Sequence, residues 1–120
     1  MVKNYRELVV WQKAMEQAVL VYQMVKKLPK EEVYALSDQM RRAAVSVPSN
    51  IAEGHSRNST KEFVQFLSIA KGSNAELQTQ CLLCKALGYL PEAELSAVLT
   101  QSEEIAKMLN TLTKKPTPDP

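Results

Sequence analysis

The chain has 120 residues, 45% of them hydrophobic and 23% charged, with a formal net charge of +2; that is the size and balance of one globular domain, with too little charge to imply nucleic acid by itself. It has only three glycines, and three of its six prolines (Pro116, Pro118, Pro120) fall in the last five positions, so an all-β fold, which needs many turns, is excluded. No apolar run approaches the roughly 20 residues of a membrane span or the core of a secretion signal, so a cytoplasmic location is expected.

Helical spacing runs through the whole body. The first segment, Tyr5 to Leu28, repeats Leu8, Trp11, Met15, Ala18, Tyr22 and Val25 at intervals of three and four, the seam of an amphipathic helix. It also carries a second apolar stripe, Val10, Ala14, Val21 and Met24, which predicts a face that a lone bundle would leave wet and a neighbouring subunit would cover. Pro29 ends the segment.

The second segment, Lys30 to Gly54, has Glu31 and Glu32 at its start, where the helix dipole favours acid, and the seam Val33, Leu36, Met40, Ala44, Val47 and Ile51. Pro48 lies inside it and predicts a kink. The third segment opens on Ser59-Thr60-Lys61-Glu62, a capping box, and continues through Phe63, Phe66, Leu67, Ala70, Leu77, Cys81, Cys84 and Leu87 to Gly88, a left-handed stop. The fourth begins at Pro91 and repeats Leu95, Val98, Ser102, Ile105, Leu109 and Leu112. Short connections force neighbours antiparallel, so the expected architecture is all-α: an up-down-up-down four-helix bundle over residues 1–115, with a disordered tail at 116–120.

Residues suited to catalysis are scarce. A di-metal carboxylate bundle needs two Glu-x-x-His pairs, and the chain has one histidine, His55, two positions from Glu53. The same scarcity excludes a nucleophile–histidine triad, and no phosphate-binding glycine loop is present. Cys81 and Cys84 form a CxxC deep within a helix rather than at its N-terminus, where redox cysteines are activated, so they read as core packing. Trp11, Tyr22, Phe63 and Phe66 sit on seams and read as core as well. The chain is expected to be no enzyme and to need no cofactor or metal.

The polar residues Arg42, Ser46, Asn50 and Glu53 form a stripe beside the apolar seam, and Glu76 lies one turn beyond Gly72-Ser73. The expected arrangement is a structural network. Asn50 would bond carbonyls freed by Pro48, Arg42 would pair with Glu53 or Glu76, and the two helices would cross tightly at Gly72. A small ligand near Arg42, Asn50 and Glu53 is the alternative. Charge is uneven: residues 41–85 hold Arg41, Arg42, Arg57, Lys61, Lys71 and Lys85 against three acids. Arg41, Arg57, Lys61, Lys71 and Lys85 are the candidate nucleic-acid face.

The runs Tyr5-x-x-Leu8-x-Val10-Trp11, Arg42-Ala43-x-x-Ser46-Val47-x-x-Asn50-Ile51-Ala52-Glu53-Gly54, Gly72-Ser73-x-x-Glu76-Leu77 and Leu87-Gly88-Tyr89-Leu90 resemble the bacterial four-helix bundle proteins known as 23S rRNA intervening-sequence proteins, over residues 5–112. The resemblance implies a bundle that assembles into a ring of five. It also implies a distant relationship to the accessory variability proteins of diversity-generating retroelements, which bind reverse transcriptase and nucleic acid. The combined expectation is a homo-oligomeric interaction or scaffold protein whose partner is RNA, DNA or a nucleic-acid enzyme. The alternative is a purely protein-binding adaptor.

Overall fold

The computed structural model describes residues 3–116 and contains four α-helices: α1 Val9–Val25, α2 Leu36–His55, α3 Thr60–Leu87 and α4 Glu92–Lys114. Each packs against its sequence neighbours and α1 closes against α4, so the helices stand at the corners of a square, in a body measuring 44 × 24 × 19 Å. No described helix is long and apolar enough to cross a membrane. Of the tail expected to be disordered, residues 117–120 lie outside the described chain.

Two helices are shorter than the periodicity predicts. Asn4 caps a separate 3-10 turn, Tyr5–Glu7: its side chain accepts from the Arg6 amide at 2.9 Å, and the Glu7 carboxylate accepts from the Asn4 amide at 2.9 Å. Leu8 is then extended, so α1 starts at Val9. The Lys30–Glu32 stretch is a second 3-10 turn, and α2 starts only at Leu36, after Ala35 leaves the helical region (φ −123°, ψ −101°). Arg41 of α2 donates to the Val33 carbonyl at 3.2 Å and pins this linker.

The later caps follow the local chemistry. The Ser59 hydroxyl accepts from the Glu62 amide at 3.1 Å and donates to the Glu62 carboxylate at 3.1 Å, which replaces the reach of Glu62 back to the backbone. Gly88 is left-handed (φ 69°), and the amides of Gly88 and Tyr89 donate to Lys85 and Cys84. This is the Schellman closure.

The stripe of α1 expected to need a neighbouring subunit is the one its own bundle buries. Val10, Ala14, Val21 and Met24 are core residues; of the expected seam Leu8, Ala18 and Val25 are buried as well, whereas Met15 and Tyr22 are exposed and Trp11 is half-buried. The two stripes lie about 100° apart, and periodicity alone cannot say which one meets α2 and α4.

The core divides along the bundle axis. One apolar cluster includes Val21, Met40, Leu77, Cys81, Leu95 and Val98; the other includes Val10, Ala14, Val47, Ile51, Leu67 and Ile105. Between them lies a polar layer of Gln17, Asn74 and Ser102, all within 1% of complete burial. The Gln17 amide donates to Ser102 Oγ at 2.9 Å, Ser102 Oγ donates to Asn74 Oδ1 at 2.9 Å, and the Asn74 amide donates to the Ser102 carbonyl at 2.9 Å. Three helices are thereby held in one axial register. Pairing of this kind is what permits polar groups inside a core, and in this layer only the Gln17 side-chain oxygen is left without a partner.

Candidate docking groove

The outward-facing members of the α1 seam shape the surface. Trp11, Met15, Val19 and Tyr22 from α1 face Val45, Pro48 and Ala52 from α2 across an open groove of about 600 Å³, with Tyr5 at one end and Lys26 at the other. Met15 is 41% exposed, Val19 56%, Tyr22 43% and Val45 41%. Tyr5 stacks edge-on against Trp11 at 5.3 Å and holds the indole in place. Lys26 is the one charged residue of the lining. A run of large apolar side chains this size is uncommon on a monomer's surface, and aromatic and methionine side chains are enriched at interfaces. A second exposed apolar group, Leu82, Leu83 and Leu87, lies on α3, the helix diagonal to α1.

The polar stripe of α2 only partly gathers. The Asn50 amide donates to the Ser46 carbonyl at 2.7 Å and to Ser46 Oγ at 2.9 Å, and Ser46 Oγ meets Ser73 Oγ of α3 at 2.7 Å. Asn50 thus serves the turn around Pro48, although its acceptor is Ser46 rather than Ala44, the residue whose helical partner proline removes. Arg42 lies outside this chain: it is exposed and pairs with Asp38 at 3.1 Å. Glu53 pairs with Arg57 at 2.8 Å, and Glu76 is exposed. Arg42, Asn50 and Glu53 therefore do not converge on a common ligand.

The tight helix crossing belongs to Gly54, not Gly72. A Cβ on Gly54 would lie 2.6 Å from Phe66 Cβ, whereas one on Gly72 would meet nothing within 4 Å.

The basic residues are dispersed and mostly engaged. Arg41 lies 3.8 Å from Asp38, Arg57 pairs with Glu53 and also covers the Phe66 ring at 5.0 Å, and Lys85 pairs with Glu92 at 3.2 Å. Lys61 and Lys71 form no ion pair among the described residues.

Cys81 and Cys84 are fully buried, with free thiols. Burial, and then the neighbouring Cys84, pushes the Cys81 thiol up to about 12. Burial and the Glu32 charge raise Cys84 as well. Neither has the depressed pKa of a reactive cysteine. Tyr89 donates to Glu32 at 2.8 Å, and that bond raises its phenol above the ordinary value. Among the described residues no group of three His, Cys, Asp or Glu comes together to hold a metal.

The groove and the polar layer are what the sequence reading missed. Gln17 and Asn74 occupy core positions in their helical repeats, Gln17 between Ala14 and Val21 and Asn74 between Ala70 and Leu77. That spacing was the available signal.

The family model for 23S rRNA-intervening sequence proteins matches residues 6–111. Among solved structures, a protein of unknown function from Bacteroides thetaiotaomicron, of the S23 ribosomal protein family, is 27% identical, with a TM-score of 0.83 over 88% of this chain and 99% of its own. No curated protein matches.

Proposed function

The chain belongs to the 23S rRNA-intervening sequence protein family, and from that premise we propose that it is a non-enzymatic interaction module that assembles with copies of itself through the α1–α2 groove. The carrying observation is the exposure of Met15, Val19, Tyr22 and Val45 around one open apolar groove. Covering them removes apolar surface from water, at about 25 cal/mol per Å². The α3 patch of Leu82, Leu83 and Leu87 supplies a second, different apolar surface. Two unlike surfaces suit a head-to-tail contact, which closes into a ring when the rotation permits, in keeping with a ring of five.

The partner class that the surface favours is protein rather than RNA or DNA, because the groove is apolar and most of the candidate basic residues already face acids. Light scattering at micromolar concentration tests the assembly. The expected mass is several times the 13.4 kDa of one chain, falling to a single chain in Val19→Glu with helicity unchanged. A single-chain mass for the parent protein overturns the assembly. Anisotropy of a labelled structured RNA at about 50 and 200 mM salt tests the partner class. Binding that weakens steeply with salt would mean phosphate contacts and replace the protein-only reading.

A further inference from the structure

We propose that Met40, Cys81 and Cys84 form a site for one soft monovalent metal ion, Cu(I) or its stand-in Ag(I), inside the bundle. This site is independent of the assembly groove. Cys81 and Cys84 are three residues apart on one face of α3, which sets their Cβ atoms about 5–6 Å apart. Met40 of α2 comes across to meet Cys84, its Sδ 3.7 Å from Cys84 Sγ, and the three residues belong to one buried cluster. All three side chains are completely buried.

The spacing and the donor set both suit a soft ion. If each metal–sulfur bond is roughly 2.3 Å, as for zinc thiolates, a sulfur–sulfur separation of 3.7 Å needs an angle at the metal of about 107°. An ion with bonds of that length can therefore span the Cys84–Met40 pair. Thiolate and thioether sulfur select Cu(I) over harder ions. Zinc requires four donors, and the described residues gather no third His, Cys, Asp or Glu beside these two cysteines.

Charge balance sets the stoichiometry of protons. Burial keeps both thiols neutral before binding. A monovalent ion that replaces one thiol proton leaves a neutral metal–thiolate unit, with that proton released to solvent; the other thiol and the thioether then donate as neutral sulfurs. Ionising both cysteines would leave a net negative charge in an apolar core, which is strongly disfavoured. No electron is transferred.

The test is an anaerobic titration of the reduced, folded protein with Ag(I), followed by Cu(I) in competition with a chromogenic chelator. The expected result is one ion per native chain, one proton released, and affinity falling about tenfold for each unit decrease in pH. With free ion at about 100 times Kd, the unfolding midpoint should rise by roughly 10 °C. Met40→Leu keeps the core volume and should weaken binding at least tenfold, and Cys84→Ser should abolish it. Parent-like affinity in Met40→Leu overturns the three-sulfur site. So does metal uptake that appears only in denaturant, or an unfolding midpoint that falls on addition of Ag(I).

Discussion

Replacing Asn74 by aspartate should make the stability of the bundle strongly pH-dependent. Asn74 is 1% exposed and makes two hydrogen bonds to Ser102, giving one to its carbonyl and taking one from its hydroxyl. A protonated aspartic acid has nearly the same shape and can make both bonds. An ionised one cannot donate to the Ser102 carbonyl, and its charge sits in the layer between two apolar clusters. Complete burial raises a carboxyl pKa by roughly 3–5 units, which at about 1.4 kcal/mol per unit is roughly 4–7 kcal/mol.

The sign follows from the protonated form being the one the fold accepts. The folded pKa lies above the unfolded value of about 3.9, so below pH ~4 both states hold the proton and Asn74→Asp should match the parent. As pH rises the unfolded chain loses its proton first, and the penalty should grow by about 1.4 kcal/mol per unit until the folded pKa is reached. The full loss is comparable to the whole stability of a domain this size, about 5–15 kcal/mol. Urea unfolding followed by circular dichroism at pH 4.5, 6 and 7.5, expressed as the difference from the parent, measures it. Asn74→Ala is the control, with a loss of about 1–3 kcal/mol that does not vary with pH. If Asn74→Asp tracks the parent at every pH, the polar layer is hydrated or open and the reasoning fails.

The two helical glycines should respond in opposite directions. Gly54→Ala places a Cβ 2.6 Å from Phe66 Cβ and should cost about 1–3 kcal/mol in denaturant unfolding; Gly72→Ala meets nothing and should stabilise α3 by about 1 kcal/mol. Asn50→Ala removes the side-chain bonds to Ser46 around Pro48 and should lower stability by about 1 kcal/mol, read as a reduced urea midpoint. Because the Cys81 thiol is pushed up to about 12 by burial, an aromatic disulfide reagent at pH 8 should label no cysteine in the native metal-free protein and two per chain in denaturant. Rapid native labelling would show that this part of the core opens.

Helix spacing, caps and the composition were enough to specify four antiparallel helices, because a 3.6-residue repeat and a capping serine or glycine act locally. Ser59, Gly88 and Pro91 mark their boundaries for that reason. The starts of α1 and α2 were less legible. A 3-10 turn at Tyr5–Glu7 or Lys30–Glu32 has nearly the same apolar spacing as an α-helix, and only backbone geometry separates them. The Asn50–Ser46 contact was legible because it joins residues one turn apart. The partners expected for Arg42 were not, since an exposed arginine pairs with whichever acid is nearest, here Asp38.

What the sequence by itself determined was therefore periodic and local: an all-α chain, four segments, and a family motif centred on Asn50 to Gly54. Tertiary structure decided that the second apolar stripe on α1 is wholly core and the first only in part. That choice depends on the directions from which α2 and α4 approach, and it is the reason Met15, Val19 and Tyr22 line a surface groove. It also decided that Gln17, Asn74 and Ser102, distant in sequence, stand at one height along the bundle, and that Met40 reaches Cys84. Each of these is a relation between helices, set by how side chains of unequal size pack together in three dimensions.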